Sequence, residues 1–258
     1  MFANNSPQRV NILGVGVSAI NMQTAVQHTE ELLDGGGSGY VCVTGVHGVI
    51  EAQDDEQFRK ILNASFLTTP DGMPTVWLGK IHGFSEMTRV YGPDYMVAVC
   101  ERSVAKGYRH FFYGGKDGVA EQLRDTLVAR FPGLQVVGTY TPPFRPLNEA
   151  EEAALYDQVA SLKPDILWCG LSTPKQERFM DAYGKRLPVK LMVGVGAAFD
   201  LLSGNLDEAP DWMKQSGLQW LYRLIKEPKR LWRRYLINNP RFIWLTSLQL
   251  SGVKKYSL

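Results

Sequence analysis

Short apolar runs alternate along this chain with helix-length stretches in which hydrophobic positions recur every three or four residues. The spacing predicts strands at Val10–Val15, Tyr40–Thr44, Tyr108–Tyr113, Asp165–Cys169 and Lys190–Val195, with shorter extended pieces at Phe66–Thr69 and Leu134–Gly138. Between them it predicts helices over Asn21–Leu33, from the end of the second strand to about Asn63, and over Pro74–Ile81 and Asp94–Lys106. Further helices are expected over Gly118–Arg130 and from Pro174 to about Arg186, and Asn148 opens another. That last start carries Glu151 three residues on, a capping-box arrangement. Strands alternating with helices give βαβ units, so the expected fold is α/β with a mostly parallel sheet covered by helices on both faces. In such sheets ligands sit beyond the carboxyl ends of the strands, where glycine-rich loops meet helix N-termini.

The pattern changes at about residue 217. Leu218–Leu258 holds nine Lys or Arg against a single acid, Glu227, and three of the six tryptophans. The whole chain carries 28 bases and 26 acids, so a near-neutral total conceals an acidic body joined to a basic tail. Leu218, Leu221, Leu224 and Ile225 recur at helical spacing before Pro228; Leu231, Trp232, Tyr235 and Leu236 do so after it. Pro228 suits a helix start and would break a continuous helix, so two short amphipathic helices are expected. Pro240 then introduces the apolar stretch Phe242–Leu250, about half the ~20 residues a membrane-spanning helix needs. Cations mixed with Trp and Leu suit an anionic bilayer surface; a helical cap on the core and a nucleic-acid contact are the competing readings. The expected organisation is an α/β catalytic domain over residues 1–216 and a membrane-associating helical appendage over 217–258.

Composition narrows the class. A chain of 258 residues, 45% hydrophobic, can build one sizeable core. Three scattered cysteines, Cys42, Cys100 and Cys169, read as buried thiols of a reducing compartment, and no metal-ligand spacing is present. The first nine residues lack the apolar core of a signal peptide, so a cytoplasmic protein is expected.

Several loops could carry chemistry. Gly14-Val-Gly16-Val-Ser-Ala19 follows a strand like half of a dinucleotide fingerprint, but the next strand ends at Thr44 without the ribose-binding acid, so a tight turn is the better reading. Gly170-Leu-Ser-Thr173-Pro-Lys175-Gln176-Glu177 opens a helix after a buried strand. Its free amides and Lys175 would hold a diphosphate, or Thr173 and Gln176 would form only a capping box. Asp71 lies in the loop Thr69-Pro-Asp-Gly72, which is a carboxylate site or a common Asp-Gly turn. Gly114-Gly115-Lys-Asp-Gly118 and Gly194-Val-Gly196-Ala-Ala-Phe-Asp200 would cradle phosphate or ribose, or simply turn the chain. Of the four histidines only His47, in the loop after the second strand, is placed for a role in chemistry.

Ordered motifs then carry a resemblance over roughly Val10–Tyr235. They are Thr69-Pro-Asp-Gly72, Arg89-Val-Tyr-Gly-Pro-Asp94, Phe112-Tyr-Gly-Gly-Lys116, Pro164-Asp165, Gly170–Glu177, Val193–Asp200, Ala209-Pro-Asp-Trp212, Gly217-Leu-Gln-Trp220, Tyr222-Arg-Leu224, Glu227-Pro228 and Arg233-Arg-Tyr235. In this order they resemble the WecG/TagA/CpsF family of bacterial glycosyltransferases, glycosyltransferase family 26. The resemblance implies transfer of a hexose or N-acetylhexosamine, with inversion and without a metal or other cofactor, from a UDP-sugar to an undecaprenyl-diphosphate-linked saccharide. Asp71 matches the proposed base, Thr44 and Gln176 donor-site residues, and Arg89 an active-site arginine. Arg223, Arg230 and Arg233 match tail arginines that complete the site. Two departures stand out: no asparagine follows Thr44 by two residues, with His47 as the available substitute, and Gln219-Trp220 replaces a usual Glu-Trp. UDP-glucose and UDP-N-acetylmannosamine therefore both remain donors to consider.

The reading that joins these observations is a Rossmann-like, metal-independent glycosyltransferase, peripheral on the inner face of the cell membrane, acting in exopolysaccharide or cell-wall polymer synthesis. Its partners would be a UDP-sugar, a lipid-diphosphate acceptor and an anionic membrane, with no nucleic acid, and a homo-oligomer is compatible with the sequence. Catalysis is expected from Asp71, His47 and Arg89. Substrate binding is expected from Thr44, Gly114, Gly115, Thr173, Lys175, Gln176, Gly196, Asp200, Arg223, Arg230 and Arg233. A nicotinamide-dependent oxidoreductase and a nucleic-acid-binding protein are the rival readings.

Overall fold

A computed structural model describes residues 7–258; the first six residues of the polar N-terminus lie outside the described residues. The described chain divides into two compact units, one of residues 7–22, 43–91 and 208–258, the other of residues 23–42 and 92–207.

The chain opens with β1 (Arg9–Ile12) and β2 (Val15–Ser18), an antiparallel hairpin that replaces the single strand expected over Val10–Val15. Leu13 and Gly14 form its turn with φ of 53° and 81°. Positive φ at both central positions matches the right-handed twist of the flanking strands. The first glycine of the Gly14–Ala19 segment therefore turns a hairpin and opens no helix.

Next come α1 (Met22–Asp34) and β3 (Gly39–Thr44). The helical stretch expected up to Asn63 is two helices, α2 (Val46–Asp54) and α3 (Glu56–Ala64). Asp55 is extended and its carboxylate accepts from the Phe58 amide at 2.9 Å, so an N-cap splits the run. After β4 (Leu67–Pro70) and α4 (Met73–Ile81) the chain enters α5 (Gly92–Lys106), β5 (Arg109–Gly114), α6 (Val119–Arg130) and β6 (Gln135–Tyr140). The capping box at Asn148 starts α7 (Glu149–Leu162) with both reciprocal hydrogen bonds in place. Then follow β7 (Ile166–Gly170), α8 (Lys175–Tyr183), β8 (Leu191–Gly194) and α9 (Ala198–Leu202). The last elements are α10 (Asp211–Gln215), α11 (Gln219–Lys226) and α12 (Pro228–Leu250).

Six strands form one sheet in the order β4-β3-β8-β7-β5-β6. The pairs β3–β8, β8–β7, β7–β5 and β5–β6 are all parallel. This is the expected α/β, Rossmann-like sheet flanked by helices. Ile166, Leu167, Trp168 and Cys169 are buried, as are all four residues of β8. Continuous apolar strands of this kind belong to sheets covered on both faces.

In the second unit the core gathers Tyr95, Phe111, Phe112, Leu123, Trp168 and Phe199. His110 is fully buried there and its Nδ1 accepts from the Trp168 indole at 2.8 Å. Burial drives its pKa down to about 3, so it stays neutral.

In the first unit Ile12, Leu13, Ile50, Phe58, Leu62, Leu67 and Met87 form the core. The basic tail is built into this unit: α12 packs on α2, with Leu231 and Phe242 buried. The Gln249 side chain accepts from the Leu13 amide at 3.0 Å and donates to the Asn11 carbonyl at 2.8 Å, and Arg241 holds Asp54 at 2.6 Å. Pro228 starts α12 as expected, but Pro240 lies within the helix instead of opening a new segment. Its ring is exposed, and buried Leu231 and Phe242 anchor the helix on either side. No described helix is long and apolar enough to cross a membrane.

Candidate active site

Two groups of the expected residues assemble, one in each unit. In the first unit the carboxyl ends of β3 and β4 lie side by side: the Asp71 amide donates to the Thr44 carbonyl at 3.1 Å. Thr44 is buried, and an added Cβ at Gly48, in the first turn of α2, would stand 3.0 Å from its methyl group. Glycine is needed for that approach. Gly45 and Gly72 cap α2 and α4, and a Cβ at Gly45 would lie 3.7 Å from Asp71 Oδ2. Asp71 Oδ1 is buried and accepts no hydrogen bond within the described residues. Carboxylate oxygens are normally satisfied when buried, and an exception calls for a partner such as a water, an ion or a substrate group.

Arg89 frames this carboxylate without neutralising it. Its Nε donates to the main-chain carbonyl of Asp71, its Nη2 donates to Gln219 Oε1, and the guanidinium sits 4.2 Å above the Tyr91 ring. Gln219 Nε2 in turn donates to the Tyr91 hydroxyl at 2.8 Å. Burial, and then the nearby charges of Asp71 and Glu208, push the Tyr91 phenol well above its ordinary range, so it stays protonated. Gln219 thus bridges the two, accepting from Arg89 and donating to the Tyr91 phenol.

His47 stands on the first turn of α2, its Nδ1 3.0 Å from Asn238 Nδ2 and 3.6 Å from Glu51. An amide nitrogen can only donate, so in the contact with Asn238 it is His47 Nδ1 that accepts.

Two of the tail arginines approach Glu227. Arg223 lies 3.6 Å and Arg230 2.6 Å from the Glu227 carboxylate. Arg233 is exposed, its guanidinium 5.3 Å from the Trp232 ring centroid. Arg234 turns inward and its Nε is buried without an acceptor. The sequence assigns no role to Tyr91, Asn238 or Arg234 and marks Gln219 only as a departure; Tyr91, Gln219 and Arg234 stand in the matching motifs, whereas Asn238 carries no local signal.

In the second unit the loops after β5, β7 and β8 converge. A Cβ at Gly114 would sit 2.7 Å from the Gly170 carbonyl carbon, and the Gly115 amide donates to the Gly170 carbonyl at 3.2 Å. A Cβ at Gly196 would lie 3.2 Å from the Leu171 carbonyl and 3.5 Å from Gln176 Oε1. Gln176 is buried with that oxygen unpartnered. The capping box, one of the two readings of this loop, is absent. Pro174 occupies the N-cap position of α8, and the Thr173 hydroxyl donates to Glu177 Oε1 at 2.9 Å instead of accepting from an amide. Gln176 Nε2 donates to the same oxygen at 3.0 Å. A buried carboxylate has the stronger demand for donors, so it takes both side chains. Lys175 is exposed at the start of α8, and Asp200 lies in the first turn of α9. Among the described residues no three His, Cys, Asp or Glu side chains group so as to hold a metal ion.

The sequence model of the family described as Glycosyl transferase WecG/TagA/CpsF matches residues 10–256. The chain belongs to this glycosyltransferase family. The enzyme is 29% identical over 219 residues to the N-acetylglucosaminyldiphosphoundecaprenol N-acetyl-beta-D-mannosaminyltransferase of Bacillus spizizenii, covering 84% of this chain and 82% of that one. It is 29% identical over 201 residues to the protein of the same name from Bacillus subtilis, covering 78% and 75%. The match takes in the hairpin, both groups of candidate residues and nearly all of the basic tail of this glycosyltransferase.

Proposed function

We propose that this glycosyltransferase moves N-acetylmannosamine from its UDP-sugar to an undecaprenyl-diphosphate-linked N-acetylglucosamine, with inversion and without a metal, in cell-wall or exopolysaccharide polymer synthesis. The names of the two Bacillus relatives support this donor and acceptor. The observation that carries the chemistry is the Asp71 carboxylate, buried on one side with no donor on Oδ1 and framed by Arg89 through its backbone alone. Asp71 takes the proton of the acceptor hydroxyl; the oxygen attacks the anomeric carbon from the face opposite UDP, and the sugar–phosphate bond breaks with its electron pair leaving on UDP. His47 orients the acceptor, and Arg89 and Thr44 fix the loop that presents Asp71. Gly114, Gly115, Thr173, Lys175, Gln176, Gly196 and Asp200 hold the nucleotide sugar. Arg223, Arg230 and Arg233 offset the charge on the departing diphosphate.

The same reading places the enzyme on the inner face of the cell membrane. Trp232, Leu236, Ile237, Ile243 and Trp244 of α12 are all exposed, interleaved with cations, as a surface that lies among lipid headgroups requires. His47 in place of the expected asparagine keeps UDP-glucose as a second donor. Mass spectrometry of products from UDP-N-acetylmannosamine, UDP-glucose and UDP-N-acetylglucosamine with a lipid-diphosphate-linked N-acetylglucosamine decides between them. The expected product gains one N-acetylhexosamine from the first donor alone. Addition of a hexose moves the assignment to glucose, and no addition from any donor removes the reading.

A further inference from the structure

Arg230 and Arg234 stand four residues apart on α12, hence on one face of it, and Arg223 reaches the same neighbourhood from α11. Three guanidiniums therefore share a region in which Glu227 pairs with Arg223 and Arg230, and the Asp71 carboxylate acts on Arg234. Arg234 is left with a buried, unpartnered Nε and a ring contact, its guanidinium 5.9 Å from the Tyr235 centroid. Desolvation, and the like charges of Arg223 and Arg230, work against its cation, whereas Asp71 favours it. A buried guanidinium short of acceptors destabilises a fold unless something supplies negative charge.

We propose that Arg234 is a diphosphate-binding side chain of this enzyme, a fourth tail arginine whose acceptors come from the substrate. The inference rests on the reading of the tail as the diphosphate-binding part of a UDP-sugar transferase. A guanidinium presents parallel N–H groups that match two phosphate oxygens, and such charge-assisted bonds are about twice as strong as neutral ones. A diphosphate brings the dense negative charge that three clustered arginines lack. It is carried both by the UDP moiety and by the lipid-linked acceptor.

The test uses the full-length protein with Arg234→Gln, Arg234→Lys and, as a control for overall charge, the exposed Lys229→Gln. Calorimetry measures binding of inorganic pyrophosphate, UDP and geranyl diphosphate, and thermal melts are taken with and without each. Arg234→Gln is expected to weaken pyrophosphate about 10- to 100-fold and to melt, without ligand, at or above the wild-type temperature. Arg234→Lys should recover part of the affinity, and Lys229→Gln should stay within about twofold. A loss confined to UDP assigns the donor diphosphate, and one confined to geranyl diphosphate assigns the acceptor's; both support the proposal. An Arg234→Gln protein that melts lower yet keeps wild-type pyrophosphate affinity overturns it, because Arg234 would then be structural. If the wild type binds diphosphates and both Arg234 variants bind pyrophosphate, UDP and geranyl diphosphate equally well, this inference fails and the transferase reading stands. If the wild type binds no diphosphate, both fall.

Discussion

Replacing Asp71 with Asn removes one proton-accepting group and the negative charge that favours the Arg234 cation. Arg89 holds the Asp71 main-chain carbonyl, not its side chain, and the amide of residue 71 keeps its bond to Thr44. Oδ1 receives no hydrogen bond that the substitution could break. The fold should therefore lose less than about 1 kcal/mol, and loss of a half-buried charge can offset even that. Turnover is a different matter. A sugar hydroxyl is a poor nucleophile, and a positioned general base contributes about 10²–10⁴ in rate, or about 3–5 kcal/mol of barrier. The assay is single-turnover transfer at saturating donor, with UDP affinity measured by calorimetry and stability by urea unfolding. Asp71→Asn is expected to drop the rate by that factor with UDP affinity and unfolding midpoint little changed. Near-wild-type turnover would refute the role of Asp71, most sharply if His47→Ala were inactive in the same assay. A large fall in stability would refute the structural part, since it would mean the carboxylate helps hold the β3 and β4 loops together.

Turnover should persist in EDTA; loss of activity that added Mg²⁺ or Mn²⁺ restores would overturn the metal-independent mechanism. The double substitution Ile243→Ser with Trp244→Ser should cut liposome sedimentation while leaving the melting temperature nearly unchanged, because both side chains are 64% exposed. Residual binding should weaken further with salt, and undiminished binding would remove α12 as the lipid-facing element. His110 gives an acid signature: its folded pKa near 3 lies below its ordinary 6.5, so only the unfolded chain takes the proton between those values. Stability from this group is then complete above pH 6.5 and falls by about 1.4 kcal/mol per unit below it, roughly 2 kcal/mol by pH 5. His110→Asn should flatten that limb of the unfolding profile, and an unchanged limb would show that His110 is not its source.

What the letters disclosed depended on how local the physics was. β7 and β8 were legible because a buried parallel strand is a continuous apolar run. The start of α7 was legible because Asn148 and Glu151 cap it within one turn. The β1–β2 hairpin was missed because its turn puts a leucine at φ 53°, which no turn preference flags. The break between α2 and α3 was present in Asp55 but masked by apolar positions on both sides. Thr44, Asp71 and Arg89 could be nominated from the motifs they share with the family. Their arrangement could not, since Arg89 and Tyr91 meet Gln219 across 130 and 128 residues of sequence. The tail was legible in composition and not in packing: its charge announced an appendage, whereas Phe242, Gln249 and Arg241 show it built into the first unit.

Inverting transfer to a lipid diphosphate is the claim on which the rest depends, and the anomeric configuration of the product tests it most directly. The enzyme, supplied with the α-linked donor UDP-N-acetylmannosamine and a lipid-diphosphate-linked N-acetylglucosamine in vesicles, is expected to give a disaccharide whose new linkage reads as β by NMR. An α linkage would mean that no single attack assisted by Asp71 takes place, and release of free sugar with the acceptor unchanged would mean that the enzyme does not transfer to it.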